Sequence, residues 1–580
     1  MSAQTYNSGS SAARGAVAGA TGVECAPSGQ GPAATIMMGH RGGEMFTMHR
    51  YWVAALAAVL LTACGSDSTT SAVSSSTTHG TLSEDPPLRI ASLNAASFAA
   101  QLSANATAAQ LVQITGVPTC GVDFYYIKFW TVGASGETTL SSGALMVPTG
   151  AAPACSGPRP IVLYAHGTWT DKTGNIADIT NTVTPSPTNS ENVIVAATYA
   201  AQGYIVVAPN YAGYDISTLG YHPYLDAVQQ SGEMIDALTA ARTALPNTMS
   251  AATSDSGKLF VTGYSQGGHV AMATQRALEA AGQTVTAAAH GSGPFALEAF
   301  GDAEFFGSVS LGSTVFTPLV TTSYQHAYGN IYTATTDVYS ATYATGIDTL
   351  LPSATPIGTL ISTGKLPETA LFDSTTPVVT VPNNPTLSAI LTGALAVPAD
   401  PTNPDTPLFD AGFGSPYLIN NDYRVSYALD AASNPDGAVP TPAAGVPLAA
   451  APPTQTLRLA FYKNDLRNGN WAPNSPTLLC GGDQDPEVFF SVNTETMAAF
   501  WSALPAGLIT VLDVNATPAG PFAPIQTAFQ EAVAAQLAYY TSPAGGSLTL
   551  TQAEELLLPS YHSSVEPFCD VAARTFFSQF

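Results

Sequence analysis

A serine hydroxyl attacks a carbonyl carbon only when a neighbouring base takes its proton and a third group orients that base. Residues 263–268 read Gly-Tyr-Ser-Gln-Gly-Gly, at the point where the apolar run Leu259-Phe-Val-Thr262 gives way to the helix-forming His269-Val-Ala-Met-Ala-Thr-Gln-Arg-Ala-Leu278. One serine among three glycines suits a nucleophile on a sharp strand-to-helix turn, because only small residues let the backbone bend so tightly. With 50 glycines in 580 residues, roughly 0.4 copies of Gly-x-Ser-x-Gly arise by chance. Ser265 therefore needs partners elsewhere in the chain.

Where a nucleophilic serine sits on such a turn, the acid and then the histidine follow it in chain order. The histidines are His40, His49, His79, His166, His222, His269, His290, His326 and His562. Only His290, His326 and His562 follow Ser265 with room for an intervening strand, and only His562 also follows the apolar run Thr477-Leu-Leu-Cys480. His562 is thus the candidate base, read as lying in the loop Pro559-Ser-Tyr-His-Ser-Ser-Val565 just before a final helix. A lone histidine in a loop is more often an exposed bystander, so its position in the chain order carries the argument. The acid belongs just after the 477–480 run, in Cys480-Gly-Gly-Asp-Gln-Asp-Pro-Glu-Val488. Asp485 is the first choice there, with Asp483 and Glu487 as rivals.

Acyl transfer also needs donors aimed at the developing oxyanion. One is the backbone N–H after the nucleophile, that of Gln266. The other is expected from Gly167-Thr168, in the loop that follows Ile161-Val-Leu-Tyr-Ala165. His166, beside that loop, is read as structural, and His269, one helical turn past Ser265, as a packing residue.

The elements that must position these groups alternate. Asp123–Val132 and Gly143–Val147 read as an antiparallel pair, and 161–165, 204–208, 259–262 and 285–289 as short buried strands. Helices are expected at about 227–245 and from the Ser265 turn to about 281. This alternation predicts an α/β fold with a mostly parallel central sheet flanked by helices. From about 301 the rhythm breaks into a Thr-, Pro-, Ala- and Asn-rich stretch that keeps Phe, Tyr and Leu throughout. It resumes with strands at 477–480 and 508–512 and a helix at about 493–504. The organisation expected is a first core part at 91–300, a cap or lid insertion at 301–475, and a second core part at 476–580.

The segments Tyr164-Ala-His-Gly-Thr168, Val207-Ala-Pro-Asn-Tyr-Ala-Gly213, Gly220-Tyr-His-Pro-Tyr-Leu225, Gly263-Tyr-Ser-Gln-Gly-Gly268 and Gly481-Gly-Asp-Gln-Asp485 together resemble those of the secretory lipases and related bacterial α/β-hydrolases. The resemblance covers about 115–300 and 455–580. It implies the α/β-hydrolase fold, carboxylester hydrolysis and a cap inserted after the sixth strand. It leaves the substrate open: aliphatic esters come first, with short-chain, aromatic and polymeric esters as rivals. A serine peptidase on the same fold and a surface lipoprotein that uses the scaffold only for binding are the alternatives from other classes.

Composition sets the surroundings. Charged residues make up 10% and lean acidic, 40 Asp and Glu against 16 Lys and Arg, net −24. Such a surface repels phosphate backbones, so nucleic acid is not an expected partner. Residues 1–44 fit neither signal nor domain and are read as a non-native extension, with Met45 or Met48 as the true start. At 45–63, Met-His-Arg-Tyr51 and the 11-residue run Trp52–Thr62 make a signal peptide too short to span a bilayer. It ends in Leu61-Thr-Ala-Cys64-Gly, which resembles a bacterial lipobox. Cys64 would then carry a lipid anchor to the membrane, followed by a Ser/Thr-rich tether over 64–90; an ordinary secretory signal is the rival. The remaining Cys120, Cys155, Cys480 and Cys569 suit two disulfides in an oxidising compartment, with the pairing 120–155 and 480–569 preferred. No CxxC or His/Cys cluster marks a metal site, and no cofactor is expected.

Overall fold

The computed structural model describes residues 78–580 apart from 105, 181–186, 401, 404 and 437–451. The segments read as extension and signal, Cys64 and most of the segment read as a tether lie outside the described residues. Nine strands form one sheet in the order β1-β2-β3-β5-β4-β6-β7-β10-β11. In chain order β1 is Leu88–Leu93, β2 Gly121–Val132, β3 Thr138–Thr149, β4 Gly157–Ala165, β5 Ile205–Pro209, β6 Thr253–Tyr264 and β7 Ala287–Gly291. A separate pair, β8 Phe372–Asp373 and β9 Phe413–Gly414, precedes β10 Thr477–Gly481 and β11 Ile509–Asp513.

β1, β2, β3 and β5 pair antiparallel, and the rest of the sheet, from β5 through β4 to β11, is parallel. β5, β7 and β10 are buried along their whole length. They can be so because helices cover both faces of a parallel sheet, and this is why they read as unbroken apolar runs. In register, Ala165 lies beside Gly263, Tyr264 beside Gly291, and Gly291 beside Cys480. The C-terminal ends of β4, β6, β7 and β10 therefore line up along one rim.

Two expectations change. β1 starts at Leu88, inside the segment read as tether, and Gly80 and Ser83 already donate backbone hydrogen bonds to Trp130 and Lys128 of β2. β1 is thus an edge strand beyond those expected, and the long insertion follows β7, the sixth strand when β1 is left out of the count. The C-terminal helix is a single element, Leu550–Phe577, and His562 lies within it rather than in a loop before it. Its start is fixed by reciprocal capping between Thr549 and Gln552. Pro559, which cannot donate to the helical ladder, is accommodated inside it. Burial of Val565, Phe568, Ala572 and Phe576 in the sheet's apolar core holds the helix together.

The segment between β7 and β10 has an apolar core of its own, centred on Leu319, Tyr324, Tyr339, Phe372, Leu418 and Tyr427. Tyr224 and Leu225, from the loop after β5, join that cluster. The fully buried Arg458 ties the segment's helices together through Asp302 at 2.7 Å, Glu298 at 3.0 Å and Asp430 at 3.3 Å. Among the described residues no helix is long and apolar enough to cross a membrane.

Candidate active site

Ser265 sits between β6 and the helix Gln266–Ala280 with φ 59° and ψ −126°. A left-handed backbone at a non-glycine residue costs on the order of 1–3 kcal/mol. The surroundings enforce it. A Cβ on Gly267 would stand 1.9 Å from the Ala165 carbonyl oxygen, and one on Gly263 would stand 2.4 Å from that of Gly267. Glycine at both positions lets β6, the turn and the end of β4 approach this closely. The turn is closed by Ser265 N–H donating to Gly291 O at 3.0 Å and Gly268 N–H donating to Ser265 O at 2.9 Å.

Asp485 follows β10 in a tight turn. Its Oδ1 accepts the backbone N–H groups of Glu487 at 3.0 Å and Val488 at 3.1 Å, which leaves Oδ2 facing His562 Nδ1 at 2.6 Å. Of the rivals, Asp483 is exposed and its N–H donates to Asp513. Glu487 is partly buried, with its charge felt at His562. The disulfide Cys480–Cys569 joins the end of β10 to the helix of His562, and Cys120–Cys155 forms the second bridge. Both match the preferred pairing. Tyr264, next to Ser265, donates its hydroxyl to His562 O at 2.7 Å.

The imidazole is almost fully buried. Burial disfavours its charged form, but the Asp485 and Glu487 carboxylates and the Asp485 hydrogen bond outweigh it, raising the group from 6.5 to about 9. Burial likewise pushes Glu487 up to about 7, with His562 pulling it down and Asp485 pushing it up. The second ring nitrogen, His562 Nε2, is buried without a hydrogen-bond partner. The structure thus brings His562 and Asp485 into contact, whereas no hydrogen bond joins Nε2 to Ser265 Oγ. Such bonds often tighten only when substrate is bound.

The loop after β4 runs beside Ser265: a Cβ on Gly167 would lie 3.7 Å from that of Ser265. The N–H groups of Thr168 and Gln266 have no acceptor among the described residues. The Gly167 N–H differs from expectation. It donates to Glu191 Oε1 at 2.8 Å, so it is committed and cannot serve a developing oxyanion. Thr168 Oγ1 lies 2.9 Å from the Tyr224 hydroxyl. Gln266 donates from Nε2 to His222 Nε2 at 2.7 Å, and His222 Nδ1 donates to Ala212 O at 2.8 Å, which assigns the neutral tautomer. Burial lowers His222 to about 4.

Three further buried histidines are occupied. His166 is stacked between Trp169 and Tyr211 at 3.6 and 4.0 Å. His269 bonds the Asn464 carbonyl at 3.0 Å, and His290 bonds Gln275 at 2.8 Å. Sequence reasoning passed over Glu191 and gave His222 no role. Glu191 stands alone as a carboxylate in Asn189-Ser-Glu-Asn-Val-Ile-Val-Ala196, and that isolation in a sparsely charged chain was its only signal.

No family model and no curated protein matches the chain. Solved structures do. The rice cell wall degrading esterase LipA from Xanthomonas oryzae is 24% identical, with 75% of this chain and 91% of that chain covered and a TM-score of 0.54. A ligand-bound form of the same esterase is 22% identical over 86% and 98% of the two chains, TM-score 0.58. A Legionella pneumophila protein provisionally described as a hydrolase is 17% identical over 86% and 97%, TM-score 0.51. At this level of identity the likeness concerns the fold, and it bears out the class expected from the sequence.

Proposed function

We propose that this chain, whose fold is that of the α/β-hydrolases, is an exported serine hydrolase that cleaves carboxylic esters through an acyl-enzyme. The observation that carries the reading is the buried His562–Asp485 pair on the same rim as the positive-φ serine, with Nε2 left without a partner. Ser265 Oγ attacks the ester carbonyl carbon while His562 Nε2 takes its proton. The oxyanion accepts the N–H groups of Gln266 and Thr168. As the tetrahedral intermediate collapses, the C–O bond to the alcohol breaks and His562 returns the proton to the leaving oxygen. Water, activated by the same imidazole, then releases the acid and restores the hydroxyl. Asp485 holds the ring in its tautomer and balances the imidazolium.

The likeness to an esterase supports ester rather than amide chemistry. The segment 301–475 acts as the cap over the site, consistent with its separate apolar core and with Tyr224 reaching from that core to Thr168. Two disulfides support an oxidising destination. The signal at 45–63 would direct export, and lipidated Cys64 would anchor the protein at the cell envelope.

Assays of wild type and Ser265→Ala on aliphatic esters of rising chain length, with aromatic and polymeric esters alongside, test the reading. Wild type should hydrolyse at least one series, and Ser265→Ala should hydrolyse none. Equal rates in the two proteins would contradict it.

A further inference from the structure

Thr168 belongs to no helix or strand, yet its N–H must be held still to serve an oxyanion. The residues on both sides of it are tied to a single buried side chain. Glu191, in the helix Pro187–Thr198, accepts the Gly167 N–H at Oε1 at 2.8 Å and the Trp169 indole N–H at Oε2 at 2.9 Å. Tyr164, near the end of β4, adds its hydroxyl to Oε1 at 3.1 Å. We infer that Glu191 is a positioning residue for the oxyanion-binding loop, fixing the residues on either side of Thr168 so that its N–H meets the reacting oxygen. The inference rests on the ester-hydrolase reading above.

The chemistry of the three donors selects a carboxylate. Both oxygens face N–H or O–H groups, so only a side chain that accepts at both ends satisfies the site. An amide would turn its NH2 towards one of those donors and leave two donors facing each other. The anchor is reinforced from the other side of the indole. Trp169 stacks on His166 with ring centroids 3.6 Å apart, and His166 Nδ1 lies 2.7 Å from Gly167 O. Carboxylate, indole, imidazole and the Gly167 peptide thus close a ring around Thr168.

The surroundings speak against a role as one half of an ion pair. The ionisable groups acting on or near Glu191 are Glu566 and Asp570 on the C-terminal helix, together with Tyr164 and Tyr211, and no cation pairs with it among the described residues. Burial pushes Glu191 up to about 7 against the pull of its three donors. Burial and the neighbouring Glu191 and Asp570 carboxylates also push Glu566 well above the usual carboxylate range. A lone carboxylate buried against two other acids is explained by the donors it holds.

The test compares Glu191→Gln, Trp169→Phe and the double variant with wild type on one hydrolysed ester, below each variant's melting temperature. Glu191→Gln should lower kcat about 30-fold with KM changed less than about threefold, because donors are misplaced rather than substrate binding lost. Trp169→Phe keeps the stack and removes one tether, lowering kcat about fivefold. The double variant removes the donor that the amide NH2 faces, so its kcat should recover to the Trp169→Phe level. Should Glu191→Gln not fold, Trp169→Phe alone decides: a kcat loss at unchanged KM supports the role, and an unchanged kcat overturns it. Glu191→Gln with kcat within twofold of wild type, or a double variant no better than Glu191→Gln, also overturns it. Ser265→Ala run alongside separates the two claims, since loss of all activity there with Glu191→Gln unaffected contradicts this inference alone.

Discussion

His562 Nδ1 and Asp485 Oδ2 are 2.6 Å apart although 77 residues separate them in the chain. Three constraints bring them together. β10 ends beside β7 and delivers the Asp485 turn to the rim, and Cys480 at its end is bonded to Cys569 of the C-terminal helix. Tyr264 then ties the backbone of His562 to the end of β6, one residue before Ser265. His562, Asp485 and Ser265, the proposed base, acid and nucleophile, are each held from a neighbouring strand end.

If the three residues act as a unit, Ser265→Ala and His562→Ala should each lower kcat by about 10³-fold or more, and the double variant should lose little beyond that. Asp485→Asn should be nearly as damaging, because it removes the acceptor that sets the tautomer. Asp483→Asn should leave kcat within about twofold, as an exposed carboxylate off the pair. Damage from Asp483→Asn comparable to that from Asp485→Asn would overturn the acid assignment.

The pH profile follows from the charges around the imidazole. His562 must be neutral to accept the serine proton, and Asp485 and Glu487 favour its protonated form, up to about 9. kcat/KM should therefore rise with pH through an alkaline midpoint. Glu487→Gln removes one of the two carboxylates and should move that midpoint down; an unmoved midpoint would contradict the account. Stability runs the other way. A histidine raised above 6.5 in the folded state contributes its full stabilisation below that pH and loses it as pH climbs towards 9. Melting temperatures across that window read the effect.

The Cys480–Cys569 bridge closes a span of 89 residues. Chain-entropy estimates give a loop of this size about 4 to 5 kcal/mol, often less in practice. Replacing both cysteines by alanine should lower the melting temperature by several degrees. It should also lower kcat at temperatures where the variant remains folded, since the bridge joins the strand before Asp485 to the helix of His562, the proposed acid and base. Wild-type kcat under those conditions would reduce the bridge to a staple of the helix.

Export is testable apart from catalysis. Cys64→Ser should release the protein from the membrane fraction or leave it unprocessed, measured by fractionation and N-terminal analysis. Unchanged processing and membrane association would refute lipidation at Cys64.

The buried parallel strands were legible because each is a short apolar run ended by a turn, and Ser265 because glycine is forced on both sides of it. His562 was legible by chain order, yet its helix was not. Pro559 marks a boundary in any local reading, and only packing of Val565 and Phe568 against the sheet overrides it. β1 escaped notice because an edge strand with one residue in two exposed carries little apolar pattern. The commitment of the Gly167 N–H depends on Glu191, 24 residues away on another element, and no local pattern encodes such a contact.

Covalent labelling with a fluorophosphonate ester, followed by peptide mass mapping, tests the central claim most directly. The reagent phosphonylates a serine only where a base and an oxyanion site activate it. The account predicts one adduct, on the peptide carrying Ser265, lost in Ser265→Ala and in His562→Ala. An adduct on another residue, or an active protein that takes up no label, would contradict it.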